Sequence, residues 1–320
     1  MEPVIISMSN FKGGVGKTSL TVNVAASMAH DLGKRVLVID MDPQCNSSMW
    51  MMGTKRFGDF FYPNDIHDAG LNETNYERSS FGLISSDLAN PHEAIQREVF
   101  LAEEGPIPGL HLVPGVFSLM HLEESGDRYT TVNYYTNLLK NLRAMTSAGE
   151  YDFVIFDCPP NFHHLTRSSL LCSHQIFIPC TPDQLSIMGL KLLVRKLHEI
   201  ISETQTILSS DLRGRMPTIE GLILNRVDRR AQVEHVIGDM EFAIRGMTRW
   251  FPEIFPLDLR SNRRAPVLPV RVRQTVFASR LVEQEIAAVQ LKGGFHQTPL
   301  KRDYIELARY ITRLAPNRRK

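Results

Sequence analysis

Residues 9–20 read SNFKGGVGKTSL, and Gly16, Lys17 and Thr18 complete a phosphate-binding loop of the form G-x-x-x-x-G-K-[ST]. Phe11 stands where that pattern has its first glycine, while Lys12, one residue on, puts a second lysine ahead of Gly13 and Gly14. Where such a turn follows a strand and opens a helix, its backbone N–H groups cradle phosphate oxygens. Gly13, Gly14, Val15, Gly16 and Ser19 are therefore expected to line the phosphates of a nucleotide. Lys17 is expected to neutralise the β- and γ-phosphates, and Thr18 to ligate Mg²⁺.

Two aspartate segments fit the same chemistry. VIDMDPQ carries Asp40 and Asp42, and FVIFDCPP carries Asp157, each after an apolar strand-like run. Hydrolysis of a phosphoanhydride needs a metal to neutralise charge, an acceptor to orient water, and fixed positive donors for the transition state. Asp157 is the expected anchor of Mg²⁺ through water. Asp42 is the expected water-orienting carboxylate, also reaching the metal through water.

These side chains need strand ends to hold them, and the chain supplies strands. VIISM (4–8), RVLVID (35–40), LHLVP (110–114), DFVIFD (152–157), QIFIPC (175–180) and IEGLILN (219–225) are nearly continuous apolar runs, the pattern of parallel strands covered on both faces. Helical periodicity falls between them at 19–33 and 188–204, and again at 303–315. The order predicts an α/β chain with a doubly wound, mostly parallel sheet and its ligand at the C-terminal strand ends. A single domain over 1–320 is expected, with a surface insertion at about 54–108, where Asn, Asp, Gly and Pro dominate.

Bulk properties exclude some classes. With 320 residues, 36 Lys and Arg against 35 Asp and Glu, and a formal charge of +1, no global field marks the chain for nucleic acid or membrane. Any such role must come from a local patch. Cys45, Cys158, Cys172 and Cys180 form no C-x-x-C pair and have no His at zinc spacing, so they read as reduced thiols. The start MEPVIISMSN lacks a basic segment and a long apolar run, so a soluble, cytoplasmic protein is expected.

KGGVGKT, RVLVIDMDPQCNSS and YDFVIFDCPPNFHHLTRSSL resemble the deviant Walker A motif, the catalytic-aspartate segment, and the Walker B and switch segment of the ParA/MinD group of P-loop NTPases. The resemblance covers about residues 3–50 and 110–230, and DPQ favours the ParA branch, whose members partition plasmids, chromosomes and other large cargo. It implies an ATP hydrolase of weak intrinsic activity, stimulated by a partner, with ATP and Mg²⁺ as cofactors. It implies an ATP-sandwich homodimer in which Lys12 crosses the interface to the second protomer's phosphates, making Lys12 catalytic beside Lys17 and Asp42. Asn225 is the implied adenine contact. Residues 226–280 hold eleven arginines, no lysine and fewer acidic residues. The ParA branch binds nonspecific DNA through basic residues of this region, so Arg229, Arg230, Arg260, Arg263 and Arg264 are the candidate contacts. The remaining implied partner is a ParB-like or other cargo adaptor, and the implied location is the nucleoid.

Other classes stand against this reading. A MinD-like positioning ATPase would bind membrane through a C-terminal amphipathic helix, and Tyr304, Leu307, Ala308, Ile311 and Leu314 form such a stripe. A final helix packed on the sheet explains the same stripe without a membrane. Reductase chemistry on an iron–sulfur cluster would need a second cysteine beside Cys158, which the pattern lacks. The short stretch ahead of the loop leaves no room for a helix-turn-helix operator reader.

Overall fold

The computed structural model describes residues 2–62, 75–100, 105–124, 130–207, 216–228, 233–291 and 298–315. Seven strands form one parallel sheet: β1 Val4–Met8, β2 Val36–Asp40, β3 Leu110–Val113, β4 Phe153–Asp157, β5 Gln175–Cys180, β6 Thr218–Val227 and β7 Val267–Arg273. Their spatial order is β3-β2-β4-β1-β5-β6-β7. Every residue of β1, β2, β4 and β5 is buried, which is why these segments read as nearly continuous apolar runs. The six expected strands all form. β7, VLPVRVR, went unrecognised because Pro269 interrupts it and its exposed Pro269 and Arg271 break the apolar run; proline is tolerated there because β7 is an edge strand.

Helices cover both faces. One core cluster joins β1, β2 and β4 to the helices Lys17–His30 and Thr298–Leu314; a second joins β5 and β6 to the helices Gln184–Ile207 and Glu234–Trp250. β6 bends where Gly221 takes φ 154°, and a Cβ there would collide with Leu268 and the Pro266 carbonyl of the strand alongside. Only glycine lets β6 and β7 meet so closely.

The stretch expected as a surface insertion sends, from its described part, several apolar side chains into the core, although most of its described residues stay at least partly exposed. Phe57 and Phe61, one turn apart on the helix Thr54–Phe61, join the first cluster with Leu83, Ile84, Val99 and Phe100. The buried Asn141 amide donates to the carbonyls of Leu83 and Ser86 at 2.9 and 2.8 Å, stitching the segment to the helix Thr130–Thr146. Sparse apolar residues in a polar, turn-rich stretch hid this role.

The last helix packs inward. Tyr304, Leu307, Ala308 and Ile311 are buried against the helix Lys17–His30 and β7, so the stripe that suggested a membrane foot is part of the core. No described helix is long and apolar enough to cross a membrane. Leu307→Ala should therefore cost about 2–5 kcal/mol, the range for emptying a buried leucine site. Urea denaturation followed by circular dichroism measures it; a cost under ~0.5 kcal/mol would mean the helix is not a core element.

Candidate nucleotide-binding site

The phosphate loop leaves the end of β1 and is tied down at its start. Asn10 donates from Nδ2 to the Pro179 carbonyl at the end of β5, 2.7 Å away, and its Oδ1 accepts the Lys12 N–H at 3.1 Å. Phe11, standing in place of the usual glycine, packs against Phe162 in a tilted ring pair with centroids 4.2 Å apart and clips the loop to the segment after Asp157. Gly14 and Gly16 take φ 74° and 86°, and a Cβ on Gly16 would overlap the Asn225 amide. Among the described residues, the N–H groups of Gly13, Gly14, Val15 and Gly16 donate to no protein acceptor. Gly16 then caps the helix Lys17–His30, whose first turn adds further N–H groups without intrahelical partners.

Beneath the loop lie the charged groups. The sheet register sets Asp40 directly opposite Asp157 on β2 and β4, and Met8 opposite Asp157 on β1, so the loop and both acidic segments meet at one edge. Asp40 is a scaffold: it accepts the Ser48 N–H at 2.9 Å, the Ser48 hydroxyl at 2.5 Å and the Asp42 N–H at 3.1 Å, shaping the turn that presents Asp42. Asp42 Oδ1 accepts the Gln44 N–H at 2.9 Å. Asp157 accepts the Thr21 hydroxyl at 3.2 Å on Oδ1, while its buried Oδ2 has no partner among the described residues. Burial, then Asp40 and Asp42, push the Asp157 carboxyl well above its ordinary range, against the pull of the Thr18 hydroxyl and Lys17. Lys17 is itself buried and donates to the Lys12 carbonyl at 3.3 Å; burial lowers its pKa while Asp157 and Asp42 oppose that loss of charge. An unpartnered carboxylate oxygen beside a hydroxyl and a second carboxylate is a donor set that fits a hard divalent cation.

Lys12 is placed where the sequence could not foresee. Its ammonium donates to Asp183 Oδ2 at 2.7 Å and to the Thr181 hydroxyl at 3.3 Å. Burial works against ionisation of Asp183, but hydrogen bonds from Lys12, Thr181 and Ser186 outweigh it and hold the carboxyl down at about 2. Asp183 also caps the helix Gln184–Ile207 through the Ser186 N–H at 2.9 Å. Asn225, at the end of β6, donates to the Val15 carbonyl at 2.9 Å and is buried against the loop. A cavity of about 520 Å³ opens beside these groups, bordered by Gly13, Gly14, Thr181, Arg226, Asp228 and Gln274. Asp183 carried a readable N-cap signal, TPDQLS, but its pairing with a lysine 171 residues away did not.

The arginines divide. Arg264 leaves the candidate DNA surface: its guanidinium is only 11% exposed and is held by Glu220 Oε2 at 2.8 Å, Asp258 Oδ2 at 2.6 Å and the Glu220 carbonyl at 2.6 Å. It compensates a buried glutamate rather than meeting solvent. Arg271 and Arg273 pair with Glu234 and Asp303. Arg260 and Arg263 are exposed and make no ion pair among the described residues. Arg229 and Arg230 lie outside the described residues.

Glu123 is a carboxylate near the site that sequence reading passed over. Its Oε1 accepts the Leu165 N–H at 3.1 Å, capping the helix His164–Cys172, whose own N-cap His163 offers no side-chain bond; its buried Oε2 has no partner among the described residues. Burial chiefly, with Asp42 adding to it, raises this carboxyl to about 7. A carboxyl raised in the folded state favours folding fully below its unfolded value and loses that contribution as pH rises through the folded one. The window here runs from about 4.5 to about 7. Glu123→Gln, which keeps the acceptor for Leu165, should flatten the stability–pH curve across that window by on the order of 1 kcal/mol once solvent screening is allowed for. Urea titrations at pH 5 and 7.5 read it; identical slopes in variant and wild type would refute the assignment.

Comparison with known proteins follows the same lines. The AAA domain family AAA_31 matches residues 4–210. The chromosome partitioning protein ParA of Myxococcus xanthus is 30% identical over 233 residues, covering 73% of this chain and 68% of that protein. Among solved structures, the ATP complex of a Cyanothece McdA variant superposes with a TM-score of 0.61 at 18% identity, covering 97% of each chain. Cobyrinic acid a,c-diamide synthase of Mycobacterium smegmatis, with bound ATP analogue and magnesium, superposes with a TM-score of 0.60 at 21% identity over 97% of this chain and 94% of that one. At these identities the two structures speak for the fold, a P-loop sheet with flanking helices. Family match, ParA relative and loop geometry coincide on the same residues: the chain belongs to the AAA_31 family of AAA domains, as a ParA/MinD-type P-loop ATPase.

Proposed function

We propose that this chain is an ATP-driven partition or positioning switch. It binds ATP and Mg²⁺ at the phosphate loop, closes as a sandwich homodimer, binds DNA without regard to sequence in that state, and releases it after hydrolysis stimulated by a ParB-like or other cargo adaptor. It works in the cytoplasm on the nucleoid. The observation that carries this reading is the row of open backbone donors above buried Lys17, facing Asp42 and an unpartnered Asp157 oxygen. The ParA relative partitions chromosomes, and the McdA neighbour was solved with ATP.

Each side chain has a distinct task. The N–H groups of residues 13–16 orient phosphate oxygens, and Lys17 lies beneath the loop, where burial lowers its pKa and Asp157 and Asp42 oppose that shift. Mg²⁺, when bound, neutralises phosphate charge; Thr18 would hold it directly, and Asp157 and Asp42 through water. Asp42 is fixed at Oδ1 by the Gln44 N–H, leaving its second oxygen to accept a proton from the attacking water. Asn225, whose amide donates to the Val15 carbonyl beneath the loop, is the adenine contact this reading assigns. Lys12 begins on Asp183 of its own chain. Reaching a second protomer's nucleotide exchanges one anionic partner for another, carboxylate for phosphate, so the arrival of that protomer can tip the balance.

Lys17→Ala should weaken ATP binding at least about 100-fold, since two charge-assisted bonds of roughly 1.5–3 kcal/mol each disappear. Asp42→Ala should still bind ATP and accumulate as a dimer in size-exclusion chromatography, whereas Lys12→Ala should bind ATP and stay monomeric. Unchanged ATP affinity in the first variant, or a monomer for Asp42→Ala with a normal dimer for Lys12→Ala, would contradict these roles.

DNA binding by the ATP-bound dimer should be indifferent to sequence and steep in salt. Three to four neutralised phosphates imply roughly a 40- to 150-fold loss between 50 and 200 mM salt. Reversing Arg260 and Arg263 together to Glu should weaken binding without changing ATP affinity. Fluorescence anisotropy with two unrelated duplexes tests this, and binding that ignores salt or the double reversal would remove the DNA surface.

A further inference from the structure

Glu123 lies outside the nucleotide contacts, yet it bears on both acidic segments of the cleft. It belongs to the helix Leu119–Glu124, and its Oε1 accepts the Leu165 N–H at 3.1 Å, 42 residues along the chain. The helix that begins there, His164–Cys172, has His163 at its N-cap, which gives no side-chain bond. A serine, threonine, asparagine or aspartate at that position would cap the helix from within. Instead a glutamate of another helix does so, and it buries a second oxygen, Oε2, that has no partner among the described residues. Leaving a buried carboxyl oxygen unpaired is unfavourable, so stability alone does not account for a cap of this kind.

What the cap holds is the stretch that follows Asp157. Six residues, 158–163, run from the end of β4 to this helix. Asn161 Oδ1 accepts the His163 N–H at 3.1 Å, and the Phe162 carbonyl accepts Arg167 Nε at 2.8 Å. Beside the cap, His164 Nδ1 and the Thr131 hydroxyl lie 2.8 Å apart, tying the same turn to the helix Thr130–Thr146. The Phe162 ring packs against Phe11, the residue before Lys12, so where the helix starts bears on the front of the phosphate loop. Asp42 also lies close enough for its charge to act on the Glu123 carboxyl, as does that of Arg167. The carboxyl therefore links the turn that presents Asp42 to the stretch that leaves Asp157. The groups that grip phosphate, the loop N–H groups and Lys17, are not among its partners.

We propose that Glu123 is a positioning residue for ATP hydrolysis: by capping the helix His164–Cys172 from outside, it holds the stretch after Asp157 and, through Phe162 and Phe11, the front of the phosphate loop in the arrangement that hydrolysis needs. The inference rests on the ATP-hydrolysing role proposed for this cleft. Glu123 acts through other residues and touches neither nucleotide nor metal. Its effect falls on the rate of the chemical step, where a misplacement of about 1 Å is enough to lose on the order of 100-fold. Affinity for ATP depends on the loop and Lys17, which Glu123 does not contact.

The test measures single-turnover hydrolysis of radiolabelled ATP, with the full chain in excess over nucleotide, beside equilibrium binding of ATP. Glu123→Ala should lower the maximal rate at least about 10-fold while changing ATP affinity less than about 2-fold. Glu123→Gln keeps an oxygen for the Leu165 N–H and should restore the rate to within about 3-fold of wild type. If circular dichroism shows that Glu123→Ala does not fold, Glu123→Asp, one methylene too short to reach Leu165, carries the same expectation. A wild-type rate in the folded Ala or Asp variant would overturn the proposal, as would a Gln variant as slow as Ala. An ATP affinity that falls in step with the rate would also overturn it, since the residue would then serve binding. A wild-type chain that binds ATP and never hydrolyses it would remove the proposed function and this inference together; wild-type hydrolysis that ignores every Glu123 substitution would remove the inference alone.

Discussion

Three carboxylates and one ammonium share the floor of the cleft, and the surrounding structure serves to hold that imbalance in place. The register puts Asp40 and Asp157 side by side on adjacent strands. The charges of Asp40 and Asp42 add to burial in raising the Asp157 carboxyl above its ordinary range. Asp40 is stabilised by the Ser48 N–H and hydroxyl, and Asp157 shares Lys17 with Asp42. What is left over is a demand for further positive charge at the strand ends, directly below a loop of backbone donors. That demand is the physical basis for reading the cleft as a place for a metal–nucleotide complex.

The P-loop sheet was legible because its signal is local. Nearly continuous apolar runs in β1, β2, β4 and β5 follow from burial on both faces, and Gly-rich punctuation fixes where the loop must turn. The loop and the two acidic segments were legible for the same reason, each lying within a few positions of a strand end. What escaped was non-local. Asp183 holds Lys12 and Phe162 packs against Phe11, in each case from more than a hundred residues away. Arg264 looked like part of a basic surface until Glu220 and Asp258 closed around it. Charge counted along a chain cannot distinguish an arginine that faces solvent from one that neutralises a buried glutamate.

The same distinction separates the two ends of the chain's apolar content. The stripe on the last helix reads as amphipathic in sequence and proves to be core, whereas Phe242 and Trp250, unremarked in the sequence, stand in solvent. Periodicity reports that a helix has an apolar face; only the packing of neighbouring helices decides whether that face is covered.

Within the proposed switch, Lys12 is the element that must change partners. The most direct measurement is a crystal structure of the Asp42→Ala chain with ATP and Mg²⁺. The account predicts a two-fold dimer in which the Lys12 ammonium has left Asp183 and lies within hydrogen-bond distance of the second protomer's nucleotide phosphates. An ATP-bound protomer in which Lys12 remains on Asp183, with no second copy across the loop, would contradict it.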